Sequence, residues 1–151
     1  MTLGYYVIPG YGLADFCRVE TKFGKRMCVF KQIHTGIVIV YPYDNIESYN
    51  IRRPIQNKHI TEIYAIIDKQ DNVVSNKTWS ERYRVFMEMI KSGDLRQVAE
   101  VLSILNQIAL TNELSFGERR MRDECIRLIT EELSFVLGDK NEEKIHERIC
   151  K

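Results

Sequence analysis

The chain has 151 residues, 44% of them apolar and 28% charged, with a formal net charge of +1. These values fit an ordinary globular protein long enough for one core or two small ones, and they exclude a chain that overall charge alone commits to nucleic acid. The opening Met1-Thr2-Leu3-Gly4-Tyr5 lacks the charged start and apolar run of a secretory signal, and no apolar stretch reaches membrane-spanning length. The four cysteines, at 17, 28, 125 and 150, form no C-x-x-C pair, a pattern of reduced structural thiols. His34, His59 and His146 are equally dispersed and give no zinc spacing. The expectation is a cytoplasmic protein with no metal, no cofactor, no membrane partner and no small-molecule substrate.

The first third reads as short β-segments. Tyr5-Tyr6-Val7-Ile8 predicts a strand, stopped by Pro9-Gly10-Tyr11-Gly12. Residues 13–20 predict a second strand, Phe23-Gly24-Lys25 a turn, and Met27-Cys28-Val29-Phe30 a third strand. After Thr35-Gly36, the β-branched run Ile37-Val38-Ile39-Val40-Tyr41 is the strongest strand signal, closed by Pro42. Ile46-Glu47-Ser48-Tyr49 predicts a short last strand. This series fits a small antiparallel barrel of Tudor or SH3 type, with edges open to a partner unless they are covered. Before residue 59 the basic residues Arg18, Lys22, Lys25, Arg26, Lys31, Arg52, Arg53 and Lys58 outnumber Asp15, Glu20, Asp44 and Glu47. That excess suits either an acidic partner surface or a solvated sheet face.

After Ile51-Arg52-Arg53-Pro54 the apolar period changes from two to about 3.6. Ile60, Ile63, Tyr64 and Ile67 make one stripe of a short helix, and residues 68–77 read as a loop. Thr78 with Glu81 forms a capping box, and Trp79, Tyr83, Phe86 and Ile90 then share a face. Ser92-Gly93-Asp94 ends that helix, with Asp94 the N-cap of the next. Leu95, Val98, Leu102, Leu105 and Ala109, widened by Val101, Ile104 and Ile108, mark a central helix. Ser115 with Glu118 is a second capping box, opening a helix that carries Met121, Cys125, Leu128, Ile129, Leu133 and Val136 and stops at Gly138. A last, highly charged helix over residues 141–148 is expected to be loosely held. The resulting fold class is α+β, divided as 1–55 (barrel), 56–77 (short helix and linker) and 78–151 (all-helical).

Two readings of Trp79 are open. Aromatic residues at helical spacing pack a core; a ring in a first turn can instead project and wedge between base steps. Arg82, Arg84, Arg119, Arg120 and Arg122 either contact phosphates or pair with Glu81, Glu118, Asp123 and Glu124 on a solvated face. Arg119 and Arg120 sit near a helix N-terminus, where the dipole disfavours cations, which points to something outside the helix. Catalysis has little to stand on. A thiol nucleophile would need Cys17 or Cys28 beside His34, and Gly10-x-Gly12 lies between two strands, which is no nucleotide fingerprint.

Several motifs in order resemble the bacterial CarD/CdnL family of transcription regulators. They are Trp79-Ser80-x-Arg82-Tyr83, then Ser92-Gly93-Asp94 leading to Val98-Ala99-Glu100-Val101, then Leu114-Ser115-x-Gly117-Glu118-Arg119-Arg120-Met121. A looser N-terminal match comprises Pro9-x-x-Gly12, Val19-Glu20, the strand ending at Pro42, and Asn45 followed by Arg52; the turn around Gly24 is shorter than is typical. The resemblance implies a Tudor-like domain that binds the RNA polymerase β subunit and a helical domain that touches promoter DNA at the upstream edge of the bubble. It places the wedge on Trp79 and DNA contacts on Arg84 and Arg119, with Arg82 and Arg120 beside them. Polymerase-facing basic positions fall on Lys22, which keeps its charge, and Val40, which does not; backbone pairing through the 37–41 strand, around Ile39 and Val40, needs no particular side chain. The function so implied is a non-enzymatic regulator that stabilises the open complex. The alternative is a polymerase-bound adaptor whose helical half grips another protein.

Overall fold

The computed structural model describes residues 1–69 and 79–150, with the Trp79 side chain outside that description. The predicted Thr78 cap and the stretch 70–77 therefore lie outside the described residues. Four strands, β1 (Gly4–Ile8), β2 (Gly12–Lys22), β3 (Lys25–Gln32) and β4 (Val38–Pro42), form one antiparallel sheet in the order β1-β2-β3-β4. Phe16 faces Phe30 and Arg18 faces Val29, so Cys17 is the extra residue of a β-bulge and points outward. Tyr6, Ile8, Ala14, Phe16, Cys28, Phe30 and Ile39 bury one face of the sheet. Their rings meet edge-on or tilted, with Phe16 and Phe30 centroids 5.3 Å apart.

The sheet is open. The predicted strand at Ile46–Tyr49 is instead a turn of 3-10 helix. Backbone Ser48 N–H and the Ser48 hydroxyl both donate to the Asn45 carbonyl, and Asn50 takes the left-handed conformation. Local side-chain bonding of this kind competes with a ladder and wins here. Of the two edges left, β1 is obstructed. Arg53 donates to the carbonyls of Thr2, Leu3 and Tyr5 and stacks its guanidinium 4.0 Å over Tyr6. The β4 edge carries no such cover among the described residues.

Among the described residues five α-helices follow: α1 (Ile60–Asp68), α2 (Trp79–Lys91), α3 (Leu95–Thr111), α4 (Phe116–Leu137) and α5 (Glu142–Ile149). Asp94 caps α3 by accepting from the Arg96 N–H, and Ser115 with Glu118 makes a complete capping box on α4, as the sequence predicts. Helix α3 is the central element, packed by α1, α2 and α4 around Val101, Leu102 and Leu105. On α2, Phe86 and Ile90 enter this core while Tyr83 stays exposed. The charged α5 departs from expectation: Ile145 and Ile149 are buried in the same core, and the Ile149 carbonyl accepts from Asn106. Two apolar residues four apart on a short helix are enough to seat it, however polar its other face.

The sheet and the helices are fastened by Arg52. Its backbone pairs with Val7 of β1, its Nε donates to the Gly93 carbonyl at 2.6 Å, and its two Nη atoms bond both carboxylate oxygens of Glu132 on α4 at 2.8 and 2.9 Å. The Ile55 N–H completes the Glu132 shell at 2.8 Å. Gly93, at φ +83, lies so near Pro9 that a Cβ there would sit 2.8 Å from the proline ring, which excludes any larger residue. Beside this, Glu131 accepts the Leu13 N–H at 2.7 Å, and Tyr5 packs on Phe135 with centroids 4.9 Å apart.

The Glu132 side chain is 4% exposed, so removing its partner strands a buried charge. Arg52→Ala should therefore cost about 3 kcal/mol in urea denaturation, and Arg52→Lys should restore only part because an ammonium cannot span the same acceptors. Glu131 behaves differently: burial pushes its carboxyl above the ordinary range, against the Leu13 N–H and Arg127, which act to lower it. A raised folded pKa favours the folded state below the ordinary glutamate value, and that advantage fades as pH rises through the raised one. Glu131→Gln keeps an acceptor for Leu13, so stability measured against pH should rise relative to wild type across that window.

Candidate nucleic-acid interface

Chain connectivity gathers the predicted DNA residues at one end of the helical half. Helix α2 runs away from Trp79 to the Gly93 turn, α3 returns, and α4 departs again after the short connection at 112–115. The N-termini of α2 and α4 and the C-terminus of α3 thus share an end, opposite the sheet. Along α4 the rise from Arg119 to the Arg52 partner Glu132 is about 20 Å. Two helix N-termini present their positive dipole ends here, an arrangement that favours an anion.

The arginines sort by partner. Arg122 donates to Asn106 at 2.7 Å and to the Cys150 carbonyl at 3.0 Å, so it holds α5 in place and is not available to a phosphate. Arg84, Arg119 and Arg120 are exposed, and among the described residues none of them makes an ion pair. Glu118, the acid nearest in sequence to Arg119, is occupied by the Ser115 cap. Arg82 is half-buried, and its Nε is enclosed with no hydrogen-bond partner among the described residues. Trp79 occupies the first position of α2, and its ring lies outside the described residues.

Phe116 was not singled out by sequence reasoning. It is the first residue of α4, 69% exposed, with the Arg120 guanidinium 5.8 Å from its ring centre. Leu110, 77% exposed, lies in the last turn of α3 at the same tip. The available signal was an aromatic residue directly after an N-cap, where a side chain has no preceding turn to pack against. An exposed ring next to unpaired guanidinium groups is a surface on which bases stack and phosphates are held.

The predicted polymerase-facing residues lie on the sheet half. Lys22 is exposed near the β2–β3 turn, directly across from Lys25. Ile39 is buried in the sheet core and can offer only its backbone, whereas Val38 and Val40 point outward from the β4 edge. The residues weighed for catalysis do not converge. Cys28 is buried with its thiol pushed up by desolvation, Cys17 is on the outward bulge, and His34 lines a groove against α4 that neither cysteine borders. No helix among the described residues is long and apolar enough to cross a membrane.

Known proteins resemble this chain. Residues 62–149 match the family model described as "CarD, C-terminal domain". Over 140 residues the sequence is 26% identical to a Bacillus subtilis (strain 168) protein named "Putative transcription factor YdeB", an overlap covering 87% of this chain and 88% of that one. The family match takes in α2, α3 and α4, hence the whole tip with its arginines and Phe116, and more than half of the sequence: this chain belongs to the CarD family.

Proposed function

We propose that this protein regulates transcription initiation by holding a DNA-wedging helix tip beside the promoter while its sheet is docked on RNA polymerase. Residues 1–55 form the docking unit, which adds the β4 edge to a strand of the polymerase β subunit, with Lys22 supplying charge. Residues 78–151 form the DNA-contacting unit, joined through 56–77. Trp79 wedges into the minor groove at the upstream edge of the bubble, and Arg84, Arg119, Arg82 and Arg120 hold the flanking backbone. The observation that carries this reading is the set of exposed arginines that make no ion pair among the described residues, grouped with Phe116 at the Trp79 end of the helices.

The energetics are consistent with a protein of near-zero net charge. Opening a base step costs a few kcal/mol, offset by contacts made only to the distorted duplex. Tethering through the sheet raises the local concentration of a weak DNA contact toward the millimolar range. A protein that binds the melted promoter better than the closed one shifts the population toward the melted state, and no catalytic group is required for that. The relative's name, a transcription factor, agrees with this class of activity.

Leu110 and Phe116 would also suit a protein partner, which is the competing adaptor reading. Salt dependence separates the two, because only phosphate contacts release condensed counterions. Replacing Arg84, Arg119 or Arg120 singly with Ala should lower the slope of log K against log salt by about one each on a forked promoter fragment. Trp79→Ala should shorten the open-complex lifetime about tenfold, the effect of ~1.4 kcal/mol, while polymerase binding is unchanged. An unaltered lifetime would remove the wedge.

A further inference from the structure

The most anomalous surface feature is the tip of the β2–β3 hairpin. Phe23 is 94% exposed, the largest value among the large apolar residues described. Its φ is +53, and Gly24 beside it has φ +74, so both central residues of this two-residue turn are left-handed. Such turns favour Asn-Gly or Gly-Gly; a bulky residue at the first position is strained. Among the described residues no ring or cation contacts Phe23 to offset that strain. A Cβ added at Gly24 would meet nothing within 4 Å, so the tip stands clear of the rest of the molecule.

A second irregularity sits in the same turn. Lys22 and Lys25 are directly opposite each other across the two strands, a like-charge pair that opposes hairpin formation. Both are exposed, and among the described residues neither has an ion-pair partner. Arg26, by contrast, is held by Asp44 at 3.1 Å and stacks on Tyr43. One turn thus combines an unsupported aromatic ring with two uncompensated ammonium groups. Sites that break local rules without an internal compensation are where an external partner is to be sought.

We infer that Phe23, framed by Lys22 and Lys25, is the anchor of the sheet's docking surface and enters an apolar pocket rimmed by carboxylates on the protein that pairs with the β4 edge. This rests on the polymerase-docking reading above and names the chemistry of the contact. The tip and the edge are continuous: the backbone N–H of Tyr43, just past β4, donates to the Arg26 carbonyl, so a strand laid along Ile37, Val38 and Val40 points toward the hairpin end. Those outward residues are apolar, so the charge that a carboxylate-bearing partner needs is supplied at the tip and not along β4. An aromatic knob in a pocket, surrounded by charge that excludes water, is the usual composition of an interface hot spot.

The same strain supplies a test that misfolding cannot mimic. Phe23→Asn places a residue the turn prefers, and Lys25→Glu converts the like-charge pair into an attractive one, so neither should lower the melting temperature of the full-length protein. Each should weaken binding to the cognate RNA polymerase core enzyme at least tenfold, read by fluorescence anisotropy of labelled full-length chain. Equal affinity of Phe23→Asn and wild type for the polymerase overturns the inference and leaves the docking reading standing. Wild type that binds no polymerase removes the docking reading and the inference with it. A loss confined to binding of duplex promoter DNA, with polymerase affinity kept, makes the hairpin a nucleic-acid arm and overturns the inference as well.

Discussion

The architecture depends on one guanidinium. Arg52 pairs in the sheet through its backbone, bonds the turn between α2 and α3 through Nε, and closes on Glu132 of α4 through both Nη atoms. Three segments distant in sequence are thereby fixed to a single residue, two of them through a planar group whose geometry allows little play. The sheet and the helices keep separate apolar clusters, one around Phe30 and one around Leu102, and apolar burial alone would allow them to slide. The directional bonds at Arg52, supported by Glu131 on the Leu13 N–H and by the tight Gly93–Pro9 approach, set the orientation. The α2–α4 tip is therefore carried at a defined reach from the sheet, along the length of α4.

Charge in this protein is informative only after its bonding is resolved. A formal net charge of +1 gives no hint of a basic surface. Most of the arginines are structural. Arg52 and Arg53 bind the ends of the sheet, Arg96 pairs with Glu62, Arg127 with Glu124 and Glu131, Arg148 with Asp68, and Arg122 secures the C-terminal helix. Among the described residues, Arg84, Arg119 and Arg120 at the helix tip and Lys22 and Lys25 at the β2–β3 turn make no ion pair. Bound pairs contribute little field at a distance, whereas a few free cations grouped with aromatic rings make a local surface that the sum over the chain conceals.

Much of this was legible in the residues, and the failures have physical causes. The strands around the 37–41 run, the Asp94 cap and the Ser115–Glu118 box are local signals, written within a few residues of the structure they form, and each appears in the fold. The segment Ile46–Tyr49 carries strand-like residues, but Asn45 and Ser48 offer the backbone a nearer partner. Helix α5 was misjudged because its composition is charged, while its seating depends on Ile145, Ile149 and two bonds from other helices. Arg52 and Arg122 have the same side chain as Arg119; only long-range partners separate them, and a single sequence does not record those. Phe116 and Phe23 were passed over for a related reason: how exposed a ring is depends on the whole fold and not on its neighbours in sequence.

The capture of the β1 carbonyls by Arg53 bears on assembly. A sheet with two bare edges can stack copies head to tail, β1 of one molecule on β4 of the next, and such a heterologous contact has no symmetry to close it and extends into fibres. Here one end of that polymer is already terminated from within by a side chain that occupies the acceptors and lies over Tyr6. Head-to-tail growth through β1 would first have to displace that guanidinium, so the cost of self-stacking is built into the edge itself.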